Sequence, residues 1–377
     1  MLRGTVAVAL TLSLVAVGCS NQGPPSAQNG TGSAVQQKLQ YRVATPRKPP
    51  EGVEPRFQLM TNGNSPFWDA VRVGMVDAGK ELGVKVDLVV NDGTPGGQIT
   101  RLRQIRTLND VVGVGISVTQ ARAQGVVDEM VNLQEAGVHV VAIDSDVDRK
   151  LFRHARYAFI GTDNLKAGEA LGTAIRNLRP EGGKYVTFVG IAAAQNARER
   201  IAGVEKGVGE KFIAADHMAD DLDRTRARDN VRNAIRNHPD VNVLVGIWSY
   251  NAPAIVDVVK EEGIRDKVTV AVFDAEPLTI QAMQEGYVDV MVVQNPYKMG
   301  YIGIKTLKAL YENDQETLRE LFPRYGEPDG DIYDTGIKVV VPDEGSPLRP
   351  EMFGENVEFM KLSEFKEWLS EHGLTGS

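Results

Sequence analysis

The 377-residue chain has one cysteine, Cys19, so no disulfide can close within it and no cysteine-based zinc site can be assembled. Its five histidines, His139, His154, His217, His238 and His372, have no metal-ligand spacing. There is no Gly-x-Ser-x-Gly elbow and no His-Glu-x-x-His pair, two signatures of hydrolytic chemistry. Basic residues are outnumbered, 42 Lys and Arg against 50 Asp and Glu, which gives a net charge of −8. Phosphate backbones need a basic face, so no nucleic-acid partner is expected. After Leu82 no stretch is apolar enough to cross a bilayer.

What is present begins with an export signal. Arg3 supplies the positive region, and Val6 to Val17 is apolar except for Thr11 and Ser13. That run is too short to span a membrane. It ends Ala16-Val17-Gly18-Cys19, small residues before a cysteine, as in a lipoprotein cleavage box where the cysteine is lipidated. The alternative is an ordinary signal peptide with a chance cysteine. Asn21 to Glu54, rich in Gly, Pro, Ser, Gln and Asn, reads as a disordered tether.

From Arg56 onward, strands and helices alternate. The stretch FQLMTNGNSPFW, Phe57 to Trp68, is a strand, a small polar loop and a helix start. Ser65 suits the N-cap and Pro66 the first helical position. Phe67, Val71, Met75, Ala78 and Leu82 share one helical face, and Gly83 ends it. Adjacent helical residues point about 100° apart, so only one of Phe67 and Trp68 is expected in the core. The other is free to wall a ligand crevice. Further strands are read at Val84–Val90, Val112–Ile116, Val138–Ile143, Tyr157–Ile160, Lys184–Val189, Val243–Ile247, Val268–Phe273, Val288–Val293 and Gly336–Val341. The helices between them include Ala197–Phe212 and Thr225–Asn237. The class is α/β with doubly wound parallel sheets, and the length suggests two lobes. Beyond Glu344 the only element read is a surface helix over Phe359–Glu371.

Ligands in such sheets sit at the carboxyl ends of the strands. Two apolar strands, VVAID and VAVFD, end in acids there, Asp144 and Asp274. A carboxylate accepts two hydrogen bonds in one plane, which suits adjacent hydroxyls on a sugar ring. One such Asp alone reads as a turn cap; two at matching places point to ligand contact. In Asn196-Ala197-Arg198-Glu199-Arg200, one arginine can project into the crevice, the alternative being two surface arginines. Trp248, in Trp248-Ser249-Tyr250-Asn251, offers a second flat wall for the apolar face of a sugar. His139 lies inside a buried strand and reads as a core histidine. The cluster Asp329, Asp331 and Asp334 lacks calcium-loop spacing and reads as a solvated acidic turn.

On these residues, from about Arg56 to Asp343, the chain resembles periplasmic sugar-binding proteins of the ribose-binding type, the solute receptors of ABC importers. The resemblance is carried by Asn64-Ser65-Pro66-Phe67-Trp68, Ala142-Ile143-Asp144-Ser145-Asp146, Gly161-Thr162-Asp163-Asn164, Asn196 with Arg200 and Gly203, Phe273-Asp274, and Gln294-Asn295-Pro296. It implies two lobes joined by three crossovers and closing on one sugar. It implies a first lobe of residues 55–162 and 295–327 and a second of 163–294 and 328–343. Before these come the signal peptide, 1–19, and the tether, 20–54; a C-terminal extension, 344–377, follows. The ligand contacts it implies are Asn64, Ser65, Phe67, Trp68, Ser117, Asp144, Ser145, Thr162, Arg200, Trp248, Asn251, Asp274 and Gln294. Ser145 stands where the family usually has an arginine, Ser117 replaces an asparagine, and Trp248 falls where ribose binders carry an asparagine. The fold therefore transfers, and ribose as the ligand does not.

The expected function is sugar reception without catalysis and without a cofactor or metal. The expected protein is a monomer, exported to the periplasm or cell surface, lipid-anchored at Cys19 and serving a membrane permease. A sensor feeding a membrane histidine kinase uses the same fold. A sugar-responsive repressor would need a basic helix-turn-helix where this chain has an export signal. A sugar hydrolase using Asp144 and Asp274 as its carboxylate pair is less favoured than binding.

Overall fold

A computed structural model describes residues 40–43, 45–354 and 357–377. Cys19 and the leader before it lie outside the described residues. The first sheet is built from β1 (Arg56–Met60), α1 (Phe67–Leu82), β2 (Lys85–Val89), α2 (Pro95–Thr107), β3 (Val111–Ile116), α3 (Gln124–Glu135), β4 (His139–Ile143), the one-turn α4 (Arg149–Phe152) and β5 (Phe159–Gly161). The chain then crosses over. The second sheet takes α5 (Asn164–Leu178), β6 (Gly183–Val189), α6 (Gln195–Val208), β7 (Phe212–Ala219), α7 (Arg224–Asn237), β8 (Val241–Gly246), α8 (Asn251–Glu262), β9 (Thr269–Phe273), α9 (Pro277–Gln284) and β10 (Val290–Val293). A second crossing returns α10 (Pro296–Glu312), α11 (Gln315–Leu321) and β11 (Ile332–Asp334) to the first lobe. A third brings β12 (Ile337–Val341), β13 (Val357–Lys361) and α12 (Leu362–Glu371) to the second.

The strand orders are β11-β5-β4-β3-β1-β2 and β13-β12-β10-β9-β8-β6-β7. Among the described residues, every strand pairing is parallel except β10 with β12. The central strands, such as VVGVGI of β3 and TVAVF of β9, are buried throughout. That is why they read as continuous apolar runs: helices cover both faces of each sheet. α1 crosses α10 closely because Gly74 lacks a side chain; a Cβ there would lie 1.9 Å from the Tyr297 carbonyl oxygen. Both sheets reverse their winding order at equivalent points, beside β1 and β3 in one and beside β6 and β8 in the other. The crevice for a ligand lies outside the strand ends at such points.

The structure corrects several expectations. The tether read over residues 20–54 is not free in its second half. The Tyr41 hydroxyl accepts the Val140 amide at 3.1 Å. The Arg47 guanidinium donates to the carbonyls of Arg106, Leu108, Val111 and Ala136. β7 was not anticipated, and α6 stops at Val208 rather than Phe212. β7 is an edge strand with Ile213 and His217 exposed, so it carries no buried alternation. The lobe boundary at residue 328 moves to Asp334, because β11 pairs with β5. Asp331 is no free acid of a solvated turn: it pairs with Arg153 and with Arg156, which is itself buried and bidentate to Asp146. The extension 344–377 is part of the second lobe. Residues 357–361 form β13, parallel to β12, and the α-helix read from Phe359 begins only at Leu362.

α12 packs Leu362, Phe365 and Leu369 into the core of the second sheet. Phe365→Ala is therefore expected to cost about 3–5 kcal/mol of stability, as buried Phe truncations do. Denaturant unfolding checks it; a loss below about 1 kcal/mol would mean that the extension is a surface appendage.

Candidate functional site

A cavity opens between the carboxyl ends of the two sheets. It is lined by the loop Asn62–Ser65 with Phe67 and Trp68, by Asp144, by Asn196, Arg200 and Leu222, by Trp248–Tyr250, and by Asp274 and Gln294. About 410 Å³ there, open solvent included, is free of protein atoms.

The two acids occupy equivalent places. Asp144 follows β4 with φ 59°, and Asp274 follows β9 with φ 62°. Each backbone N–H is held by the next strand, Asp144 by the Ile160 carbonyl at 3.1 Å and Asp274 by the Val292 carbonyl at 2.9 Å. The left-handed conformation is uncommon outside glycine, and Asp is among the residues that tolerate it. It marks both positions as constrained sites. Asp144 Oδ2 accepts from the Ser117 hydroxyl at 2.7 Å and from Asn62 Nδ2 at 3.4 Å. Its Oδ1 accepts from Asn196 Nδ2, across the cleft, at 3.5 Å. Gln294 Nε2 donates to both Asp274 oxygens, at 3.0 and 3.2 Å.

Arg200 is 1% exposed. Its Nε donates to Asn164 Oδ1 and its Nη1 to the Ile247 carbonyl, both at 2.9 Å. Nη1 is also 3.6 Å from Asp274 Oδ2, and the guanidinium lies over the Phe273 ring at 4.5 Å. Nη2 has no partner. Trp248 Nε1, Asn196 Oδ1 and Gln294 Oε1 are likewise buried without one. Buried polar atoms without partners are costly, and these four all belong to residues that line the cavity.

Burial pushes the Asp144 carboxyl up to about 6, against the pull of the Arg200 charge and the Ser117 hydrogen bond. Burial also raises Asp274, with Arg200 and Gln294 opposing. Asp220 lies behind the lining, completely buried, and is raised by burial to about 6. It accepts from the Tyr250 hydroxyl, from Asn251 Nδ2 at 2.9 Å and from the Leu222 amide at 3.0 Å.

Of the residues singled out from sequence, Asn64, Ser65, Phe67, Trp68, Asp144, Arg200, Trp248, Asp274 and Gln294 line the cavity. Ser117, Ser145, Thr162 and Asn251 do not. Ser117 holds Asp144, and Asn251 holds Asp220 while its Oδ1 accepts the Trp248 amide. Ser145 and Thr162 are buried, with hydroxyls that find no partner. Ser65 makes no side-chain cap: α1 starts at Phe67, with Pro66 in the cap position. Phe67 and Trp68 are both core residues and both reach the cavity. They meet edge to face at 5.2 Å, so two adjacent rings fill one corner. Asn62, Gly63, Leu222, Ser249 and Tyr250 were not singled out. Leu222 follows the unforeseen β7, on a turn where Asp221 and Leu222 both have positive φ. Its side chain lies against Gly63 of the other lobe, 3.3 Å from where a Cβ would stand.

Residues 58–315 match the family model described as periplasmic binding protein domain. The D-allose-binding periplasmic protein of Escherichia coli K12 is 25% identical over 252 residues, covering 65% of this chain and 80% of that protein. The ribose import binding protein of the same organism is 24% identical over 253 residues, 67% and 83% of the two chains. Among solved structures, an ABC transporter solute binding protein from Burkholderia graminis C4D1M in complex with D-arabinose superposes with a TM-score of 0.69. It is 25% identical, and the match covers 78% of this chain and 97% of that one.

Linkage sets a pH test. A carboxyl whose folded value is raised binds its proton more tightly in the folded state, so stability is lost as pH rises from the unfolded value toward the folded one. For Asp144 that window runs from 3.8 to about 6. Urea unfolding from about pH 4 to about pH 7 should show a shallower loss in Asp144→Asn than in the wild type. Parallel curves would mean that Asp144 titrates as an ordinary exposed acid.

Proposed function

We propose that this chain, which belongs to the periplasmic binding protein family, receives one neutral monosaccharide or similar small polyol between its lobes and delivers it to the permease of an ABC importer. The observation that carries the reading is the mixed set of unpaired buried atoms, donors on Arg200 and Trp248 and acceptors on Asn196 and Gln294. A sugar hydroxyl both donates and accepts, so one ring satisfies both kinds. The carboxylates of Asp144 and Asp274 supply further acceptors, and the rings of Phe67, Trp68 and Trp248 offer apolar faces for stacking. Two carboxylates against one guanidinium disfavour a sugar acid or sugar phosphate, since an added anion would lie among like charges. The names of the relatives, which mention allose and ribose, and the D-arabinose of the solved complex suggest the first sugars to try.

Neither lobe holds a full set of partners, so a ligand binds the closed arrangement better than the open one and shifts the protein toward it. No bond is broken in this scheme; the site binds and releases. The same proposal places the protein outside the cytoplasm on a lipid at Cys19. The mass of the mature N-terminus checks that, and an unmodified start at another residue would contradict it.

Calorimetry with D-ribose, D-arabinose, D-allose and other neutral monosaccharides tests the reading. With the sugar that binds, Asp144→Ala should cost about 2–4 kcal/mol, the loss of a charge-assisted contact that leaves hydroxyls unpaired. Trp248→Ala should weaken binding through lost stacking and also lower the ligand-free melting temperature, because Trp248 is a buried core residue, whereas Asp144→Ala should keep its ligand-free melting temperature within a few degrees. Normal affinity in Asp144→Ala, or a variant that unfolds, would make Asp144 a structural cap.

A further inference from the structure

Residues 374–377 lie directly behind the acid and the amide of the second lobe. The Ala275 amide donates to the Ser377 carbonyl at 2.7 Å, and the Ser377 amide donates back to the Ala275 carbonyl at 2.9 Å. The Ser377 hydroxyl donates to the Gln294 carbonyl at 3.3 Å. Ser377 is 2% exposed. Gly376 passes so near the loop that a Cβ would lie 2.7 Å from the Ala275 oxygen and 2.8 Å from Pro277 Cδ. Leu374 anchors the segment in the core of the second sheet beside α12. Just before it, the His372 ring meets the Tyr297 ring of α10 edge to face at 5.1 Å, and the Tyr297 hydroxyl donates to Asp77 of α1.

Ala275 directly follows Asp274, and Gln294 is the residue whose amide holds the Asp274 carboxylate. Both belong to loops after strands, not to the regular ladder. Asp274 is held in left-handed backbone, which persists only when its surroundings over-determine it. The segment supplies three hydrogen bonds to these two loops from a stretch that is itself buried. We infer that residues 375–377 are a positioning element of the sugar site, fixing the Asp274 loop and Gln294 in the geometry that meets the ligand. The inference rests on the sugar-binding reading of the cleft.

The test is a double-mutant cycle read by calorimetry, with D-ribose, D-arabinose and D-allose as probes. One arm deletes residues 375–377 and keeps Leu374; the other is Asp274→Asn. The deletion should weaken binding of the probe that the wild type takes by roughly 10-fold, the scale of coupling between residues in one hydrogen-bond network. In the Asp274→Asn background the same deletion should add little, because the contact it positions is already impaired. A segment that only stabilises the fold would lower the melting temperature and act additively on affinity, which would overturn the inference. Unchanged affinity after deletion would overturn it as well. If the deletion variant does not fold, Gly376→Val displaces the segment without removing it and is read the same way. Where the wild type takes none of these three, the other neutral monosaccharides and small polyols serve as probes, and a wild type that takes none of them would overturn the reading of the cleft, and this inference with it.

Discussion

The site depends on burying two carboxylates and one guanidinium in the same small space. Left alone, each charge would pay heavily for leaving water. Asp144 meets part of this cost through Ser117, Asn62 and Asn196, and Asp274 through Gln294 and Arg200. Neither arrangement is complete. Burial still raises both carboxyls, and one guanidinium nitrogen has no partner. An incomplete polar network between two bodies favours whatever completes it. A ligand rich in hydroxyls does so without adding charge.

The polar contacts that cross the cleft are weak. The Asn196 bond to Asp144 is long, at 3.5 Å. Arg149, anchored by Asp146 at 3.0 Å, reaches Glu199 of the other lobe at 3.7 Å, and both partners are partly exposed. Such a pair is worth at most about 1 kcal/mol. Leu222 adds an apolar contact at Gly63 and another at Gly93. On the proposed reading, differential binding of ligand decides between open and closed. The rigid part of the site is within each lobe, where strand ends and the segment behind Asp274 fix the acids.

Much of this was legible in the sequence because parallel sheets advertise themselves. VVAID and VAVFD are continuous apolar runs ending in an acid, and the two sheets place them equivalently. The left-handed backbone of both acids has no sequence signature, since Asp also suits ordinary turns. β7 was invisible because an edge strand exposes side chains on both faces, and Leu222, on the turn after it, was lost with it. Residues 40–54 have the composition of a linker. Tyr41 and Arg47 nonetheless bond to backbone far along the chain, which composition cannot report. Helical angle alone sends the rings of Phe67 and Trp68 to different faces. At a helix's first turn, edge-to-face packing lets both turn inward.

The most direct measurement is a crystal structure of the full chain grown with a saturating neutral monosaccharide, D-arabinose first. Sugar hydroxyls should lie within hydrogen-bond distance of the Asp144 and Asp274 carboxylates and of Arg200 Nη2, with the ring against Trp248 or the Phe67–Trp68 corner. A sugar bound elsewhere, or a cleft in which those atoms meet only solvent at saturation, would contradict the assignment of this cleft as a sugar site.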